Sequence, residues 1–253
     1  MYIDTHCHLN FQELYENRKA VVERAVVAGV TKIVTVGTDI ESSRKSIEIA
    51  AEFPEVYAAV GVHPTDLPNV NDNWQDELAD LLRQPKVVAV GEIGLDYYWD
   101  TTEPDDQKRF FKAQIEIAKK SALPMIIHNR RADADIKSIL LEKQYLNGVL
   151  HCYSSDEFFA AEMLEMGLLL SFTGNVTYGS KKLRRVLEAI PIEAIMLETD
   201  APFITPVPHK DKTNEPAYIP FIAEKIAEIK NVLVATIAAT TTRTALKFFR
   251  ISQ

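Results

Sequence analysis

Short apolar runs rich in valine and isoleucine recur along the chain, each followed by a longer amphipathic segment. The runs are YIDTH, TKIVTVG, VYAAVGVHP, KVVAVGEIGLD, LPMIIH, GVLHCY, LLLSFTG and AIMLETDAP. Segments such as RKAVVERAVVAG, SSRKSIEIAAEF and QKRFFKAQIEIAKKSA lie between them, with apolar residues returning at i, i+3, i+4 and i+7. The first pattern is that of buried strands, the second that of helices packed by one face. Strand–helix alternation implies parallel strands joined by crossover helices. Eight such units predict an α/β fold of the (β/α)8 TIM-barrel type, with residues 1–253 as one domain. An open doubly wound sheet fits less well, because neither TKIVTVGTD nor GEIGLD supplies a Gly-rich phosphate turn.

Barrel strands alternate their faces and carry their chemistry at their C-terminal ends, which lets the polar residues be placed. In the first run Asp4, His6 and His8 share one face and Ile3, Thr5 and Cys7 the other. By the same alternation His63 is in phase with Ala59 and Gly61, and Glu92 with Val88 and Val90. His128 follows Ile126, His151 follows Val149, and Asp200 follows Met196 and Glu198. Five of the six histidines close an apolar run; only His209, in PVPHKDK, does not. A lone histidine there is ordinarily a hydrogen-bonded core residue, and His-x-His by itself decides nothing. Ionisable groups converging from several strands are costly to bury unless they pair or bind metal.

His6, His8, Glu92, His128, His151 and Asp200 have the chemistry of a two-metal hydrolytic site for zinc, manganese or similar divalent cations. Glu92 ends a mid-barrel strand between the two histidine pairs and is assigned to bridge the ions. Asp200 is assigned to bind one ion and to take the proton of the attacking water, as general base.

The net charge of −8 argues against a broad basic face for a polyanion, but leaves room for a small positive pocket built on metal. No apolar run approaches the roughly 20 residues needed to span a bilayer, and the N-terminus shows no secretory signal. With only Cys7 and Cys152 there is no disulfide framework. A cytoplasmic location without membrane association or an obligate protein partner is expected.

The motifs DTHCHLN, GVHP, GEIGLDYY, LPMIIHNRRA, LHCYS, SFTGNVT, LETDAPFITP and NEPAY run nearly end to end, as does a helix carrying Gln107, Phe111 and Gln114. On these the chain resembles TatD-type metal-dependent deoxyribonucleases, a branch of the amidohydrolase barrels. The resemblance implies a binuclear centre, usually supported by Mg²⁺ or Mn²⁺, that hydrolyses DNA phosphodiesters, with exonucleolytic trimming of single-stranded ends as the expected action. It places metal ligands at the same six residues. Two departures stand out. Tyr153-Ser154-Ser155 replaces the family's usual Phe-Ser-Gly, removing a flexible glycine, and Thr244 replaces an asparagine in a segment expected to be structural.

His63 is expected either to meet substrate phosphate or to anchor its loop. Arg130 is placed to grip a phosphate in fork geometry, with a surface ion pair as the alternative. Of Asp4 and Glu198, at least one is expected to accept from a ligand histidine and fix its tautomer, the alternative being carboxylates held by backbone donors. Tyr97, Tyr98, Trp99, Tyr153, Tyr178 and Phe203 crowd the loops, and one or two are expected to stack on bases. Lys181, Lys182, Arg184 and Arg185 read as a solvated helix face. Cys7 and Cys152 point away from the site as small packed hydrophobes. The competing functions are hydrolysis of an ester or amide, such as an aminoacyl ester, by the same centre, and a non-catalytic metal-binding barrel.

Overall fold

Each apolar run forms a strand: β1 (Tyr2–Cys7), β2 (Val30–Val36), β3 (Val56–Val60), β4 (Val87–Asp96), β5 (Met125–Arg130), β6 (Gly148–Leu150), β7 (Leu169–Phe172) and β8 (Ile195–Leu197). The computed structural model describes residues 1–252 and pairs these strands in chain order, every neighbouring pair parallel. β1 and β8 meet where the His8 N–H donates to the Ala201 carbonyl (2.7 Å) and the Asp200 N–H to the His6 carbonyl (2.9 Å). The result is the expected (β/α)8 barrel.

The interior is filled by Ile3, Val34, Val36, Ala59, Val88, Ile126, Val149 and Met196. Its floor is closed by Ala245, Leu246 and Phe249 of the C-terminal helix Val234–Phe249. Ile33, Val60, Ile127, Leu170 and Ile195 face outward and pack against the helices. Burying each such side chain contributes about 1.5–3 kcal/mol.

Simple alternation fails on the two strands that carry His6 and Glu92. On β1, Asp4 lies opposite Ile33 but Cys7 opposite Thr35, three steps against two. On β4, Val90 lies opposite Met125 and Ile93 opposite Ile127, again three against two. An extra residue reverses which face follows it. Ile3 therefore belongs to the interior while Cys7 is outside, and Val90 and Ile93, three residues apart, both face outward. Both irregularities fall immediately below the site and re-aim His6 and Glu92 into it. Strands β3, β6 and β8 end before His63, His151 and Asp200, so these three stand on the loops just above the barrel rim.

The helix Pro104–Ser121 buries Gln107, Phe111, Gln114, Ile115 and Ala118, one helical stripe. Its two buried glutamines act as strand neighbours. Gln107 Oε1 accepts from the Asp96 N–H (2.8 Å) while Nε2 donates to the Asp96 carbonyl (2.9 Å). Gln114 does the same to both backbone groups of Val62, at 2.8 and 2.9 Å. The helix thereby pins the residues from which Asp96 and His63 project.

Candidate metal centre

Glu92 sits at the centre, buried, with its two oxygens facing different histidines. Oε2 is 3.3 Å from His6 Nε2 and 3.7 Å from His8 Nε2. Oε1 is 2.7 Å from His151 Nε2, 2.8 Å from His128 Nδ1 and 3.4 Å from His63 Nε2. Asp200 Oδ1 lies 3.4 Å from His8 Nε2 and 3.6 Å from His6 Nε2. The six residues expected as ligands are thus brought together.

The tautomers follow from the outer partners. His8 Nδ1 is 2.9 Å from the Val36 carbonyl, an acceptor only, so Nδ1 carries the proton and Nε2 offers a lone pair. That lone pair faces His6 Nε2 at 3.2 Å. His128 Nε2 is 2.9 Å from Asp96 Oδ2, which assigns the proton to Nε2 and turns the Nδ1 lone pair towards Glu92 and His151. Lone pairs of buried imidazoles and carboxylates therefore converge on either side of Glu92. Groups drawn from His6, His8, Glu92, His63, His128, His151 and Asp200 hold their ligand atoms within 4.8 Å of one another. This deprotonated N/O set fits divalent metal ions.

Without cations, protons take their place. Burial opposes charge on His8, but the Asp200 carboxylate hydrogen-bonded to it raises its pKa. Burial likewise opposes charge on His128 and His151. Asp96 and Glu92 hold His128 above its usual value, and Glu92 and Glu198 hold His151 well above it. Burial pushes His6 and His63 down. Glu92 is held well below the carboxylate range by His151, His63 and His128 despite its burial, and Asp200 is lowered by His8 and His6.

The expected supporting carboxylates divide. Glu198 Oε1 lies 3.6 Å from His151 Nδ1; its oxygens accept from the Cys152 N–H (2.5 Å) and the Ser171 hydroxyl (2.6 Å). Asp4 reaches no imidazole. It accepts from the backbone N–H groups of Thr199 (3.0 Å) and His6 (3.3 Å) and from the Thr199 hydroxyl (2.5 Å), bridging the β1–β8 seam. Burial pushes its carboxyl up to about 8.

Asp96 is the residue the motif reading missed. Besides meeting His128, its Oδ1 accepts from the Tyr98 and Trp99 N–H groups at 2.8 and 3.1 Å. It was findable, because it follows Glu92 by four residues on the same strand face. Between them Gly94 adopts φ +145°, and a Cβ there would sit 2.0 Å from the His128 carbonyl oxygen. The glycine lets β4 and β5 close to the distance the Asp96–His128 contact needs.

A cavity of about 330 Å³ opens above the centre, lined by His63, Asp96, Trp99, Arg130, Phe11 and Phe203 among others. His63 Nδ1 is 2.7 Å from the Thr65 hydroxyl, which orients the ring. Arg130 makes no ion pair among the described residues; its guanidinium lies 3.8 Å from the Tyr98 ring centroid. Tyr98, Trp99, Tyr178 and Phe203 are exposed, whereas Tyr153 is buried with its hydroxyl on the Asp156 carbonyl, and the Tyr97 hydroxyl donates to Asp135. Base stacking is thus open to the first four only. Arg184 pairs with Glu188 and Arg185 with Glu157, as a solvated face should. Cys7 packs outward as expected. Cys152 instead turns to the Thr173 hydroxyl at 3.6 Å, because it lies beyond the end of β6 with positive φ. His209 stacks on Tyr218, away from the centre.

A parallel barrel with a buried His/Glu/Asp cluster at its C-terminal rim defines a metal-dependent hydrolase class of site. Residues 3–250 match the model of the family described as TatD related DNase. The metal-dependent hydrolase YabD of Bacillus subtilis is 40% identical over 255 residues, with 100% of both chains covered. The 3'-5' ssDNA/RNA exonuclease TatD of Salmonella typhimurium is 33% identical, covering 98% of each chain. The crystal structure of YjjV, a TatD homologue from Escherichia coli K12, superposes with a TM-score of 0.95 at 30% identity, covering 99% of this chain and 98% of the other. The chain belongs to the TatD-related DNase family of metal-dependent hydrolases. No described helix is long and apolar enough to cross a membrane.

Proposed function

We propose that the protein is a phosphodiesterase that trims single-stranded DNA from an end, using two divalent cations held on either side of Glu92. The observation that carries this reading is the division of the Glu92 carboxylate, Oε2 towards His6 and His8 and Oε1 towards His128 and His151. His6, His8 and Asp200 would hold one cation, His128 and His151 the other, with Glu92 common to both. Bound there, the pair would acidify water and neutralise charge developing on phosphoryl oxygens.

The chain's own groups supply the rest. Asp200, ionised at neutral pH and open to the cavity, is positioned to accept a proton from water. Asp96 orients His128 from behind by a hydrogen bond, and the Glu198 carboxylate lies behind His151 at 3.6 Å. His63, fixed by Thr65, and Arg130 at the mouth present donors to the substrate's phosphate. Phe11, whose ring stacks 4.6 Å from that of His8, and Phe203 add apolar wall to the cavity. Relatives named as ssDNA/RNA exonucleases support a nucleic-acid substrate over an ester or amide.

The test joins metal content by mass spectrometry, on protein purified without chelator, to release of nucleotide from a 3′- or 5′-labelled oligonucleotide. Two equivalents of metal and activity abolished by EDTA and by Asp200→Asn are expected. Turnover of an aminoacyl ester or a small amide with no cleavage of nucleic acid would sink the proposal.

A further inference from the structure

Next to the metal cavity lies a second hollow of about 450 Å³, and Arg130 lines both. We propose that this hollow, walled by Tyr98, Arg130, Arg131, Ser154, Ser155 and Lys182, binds the phosphate adjoining the one at the metal centre in a single-stranded nucleic acid. The inference rests on the phosphodiesterase reading and adds to it a requirement for a polymeric substrate.

Three observations converge. First, the cations are free. Among the described residues none of Arg130, Arg131 and Lys182 forms an ion pair, whereas Arg184 and Arg185 on the helix of Lys182 both do. In a chain of net charge −8, this hollow gathers three cations against two carboxylates, Asp133 and Asp156, an excess of one positive charge. Second, two of them are held together. The Arg130 and Arg131 guanidiniums lie 3.8 and 4.8 Å from the centroid of the same Tyr98 ring, and Arg131 occupies the left-handed region, φ 59°. Such a pair presents forked donors to an anion.

Third, the two carboxylates of the wall take their hydrogen bonds from neutral groups and not from the cations. Asp133 Oδ1 accepts from Asn129 Nδ2 and from the Ser155 hydroxyl, both at 2.7 Å. Asp156 Oδ1 caps the helix Glu157–Glu165 by accepting from the Phe158 and Phe159 N–H groups. Ser155 stands where the resemblance leads one to expect glycine, so part of this wall is particular to the chain. Its hydroxyl donates to Asp133, tying that carboxylate to the loop rather than to the arginines.

The deciding comparison sets R131Q/K182Q against wild type and against R184Q/R185Q, which removes the same charge from a paired face. Binding of a fluorescein-labelled deoxythymidine pentanucleotide is followed by anisotropy in the metal-loaded Asp200→Asn background. Hydrolysis is compared as the ratio of kcat/KM on the oligonucleotide to that on bis(p-nitrophenyl) phosphate, a diester with a single phosphate. R131Q/K182Q should weaken binding about tenfold and flatten the plot of log affinity against log salt by about 0.7 per lost contact. The kcat/KM ratio should fall in parallel, and R184Q/R185Q should leave both measures near wild type. Equal effects from the two double variants, or no effect from the first, would overturn the proposal. If wild type hydrolyses neither substrate, the phosphodiesterase reading falls, and the anisotropy alone still decides whether the hollow holds the strand.

Discussion

Replacing Asp96 by asparagine changes one oxygen to an amide nitrogen and tests whether His128 is a ligand whose tautomer is imposed from outside. In the protein, Asp96 Oδ2 faces His128 Nε2 at 2.9 Å while Oδ1 accepts from Tyr98 and Trp99. Asparagine can keep its carbonyl on the two loop amides, leaving its NH2 group facing His128 Nε2. Two donors cannot share that contact, so the imidazole moves its proton to Nδ1, the nitrogen that looks at Glu92 from 2.8 Å. The lone pair needed for metal is then on the wrong side of the ring.

Losing the outer partner of a metal-bound histidine typically costs 10–100-fold in affinity, about 1.4–2.8 kcal/mol. That agrees with the roughly 1.5–3 kcal/mol attached to a hydrogen bond with a charged partner. Calorimetric titration of the metal-free variant with Mn²⁺ should therefore show one of two binding events weakened by that factor, the other almost unaltered. Asp96→Ala should lose at least as much, because it also releases the amides of the Tyr98–Trp99 loop. Metal affinity within twofold of wild type in Asp96→Asn would refute the tautomer argument and return His128 to the role of a packed core residue.

Other expectations concern protons, backbone and seam. Because the pKa values of His8, His128 and His151 are raised, their contribution to metal-free stability is full below pH 6.5 and is lost as pH rises through the folded-state values. Lowered Glu92 and Asp200 contribute above pH 4.5 and lose that contribution as pH falls through their folded-state values. Metal binding must displace the histidine protons, so affinity should climb with pH, with proton release still detectable above pH 6.5 by calorimetry in buffers of different ionisation enthalpy. Metal-loaded and metal-free melting temperatures should accordingly diverge as pH rises; parallel profiles would contradict the ligand assignment. Gly94→Ala should destabilise by about 3 kcal/mol or more, lowering Tm by at least about 6 °C, from strain and the collision with the His128 carbonyl. Gln107→Leu should cost about 1–3 kcal/mol in thermal unfolding and weaken metal binding, since Asp96 loses both backbone partners. Thr199→Val should cost a similar amount without touching metal affinity directly, because it strips Asp4 of its hydroxyl donor at the β1–β8 seam.

The periodicity of the chain was sufficient to give eight strands in order, because each parallel strand is buried on both faces and leaves a dense apolar run. It also led to six residues that the fold brings together, but for a partly mistaken reason. The alternation that aligned Asp4 with His6 and Val90 with Glu92 is broken by an extra residue on each strand, and single-sequence patterning carries no mark of such an insertion. His6 and Glu92 enter the site because of those insertions, not because of continuous phase. Asp4 was misplaced by the same error, one seam away from the imidazoles it was expected to support. Asp96 was overlooked for the opposite reason. Its carboxylate shares a motif with Glu92, and its value comes from a partner 32 positions away on another strand. What the linear pattern encodes well is which segments are buried. What it encodes poorly is the pairwise closure between neighbouring strands, and at this site that closure decides which nitrogen of each histidine is free to bind.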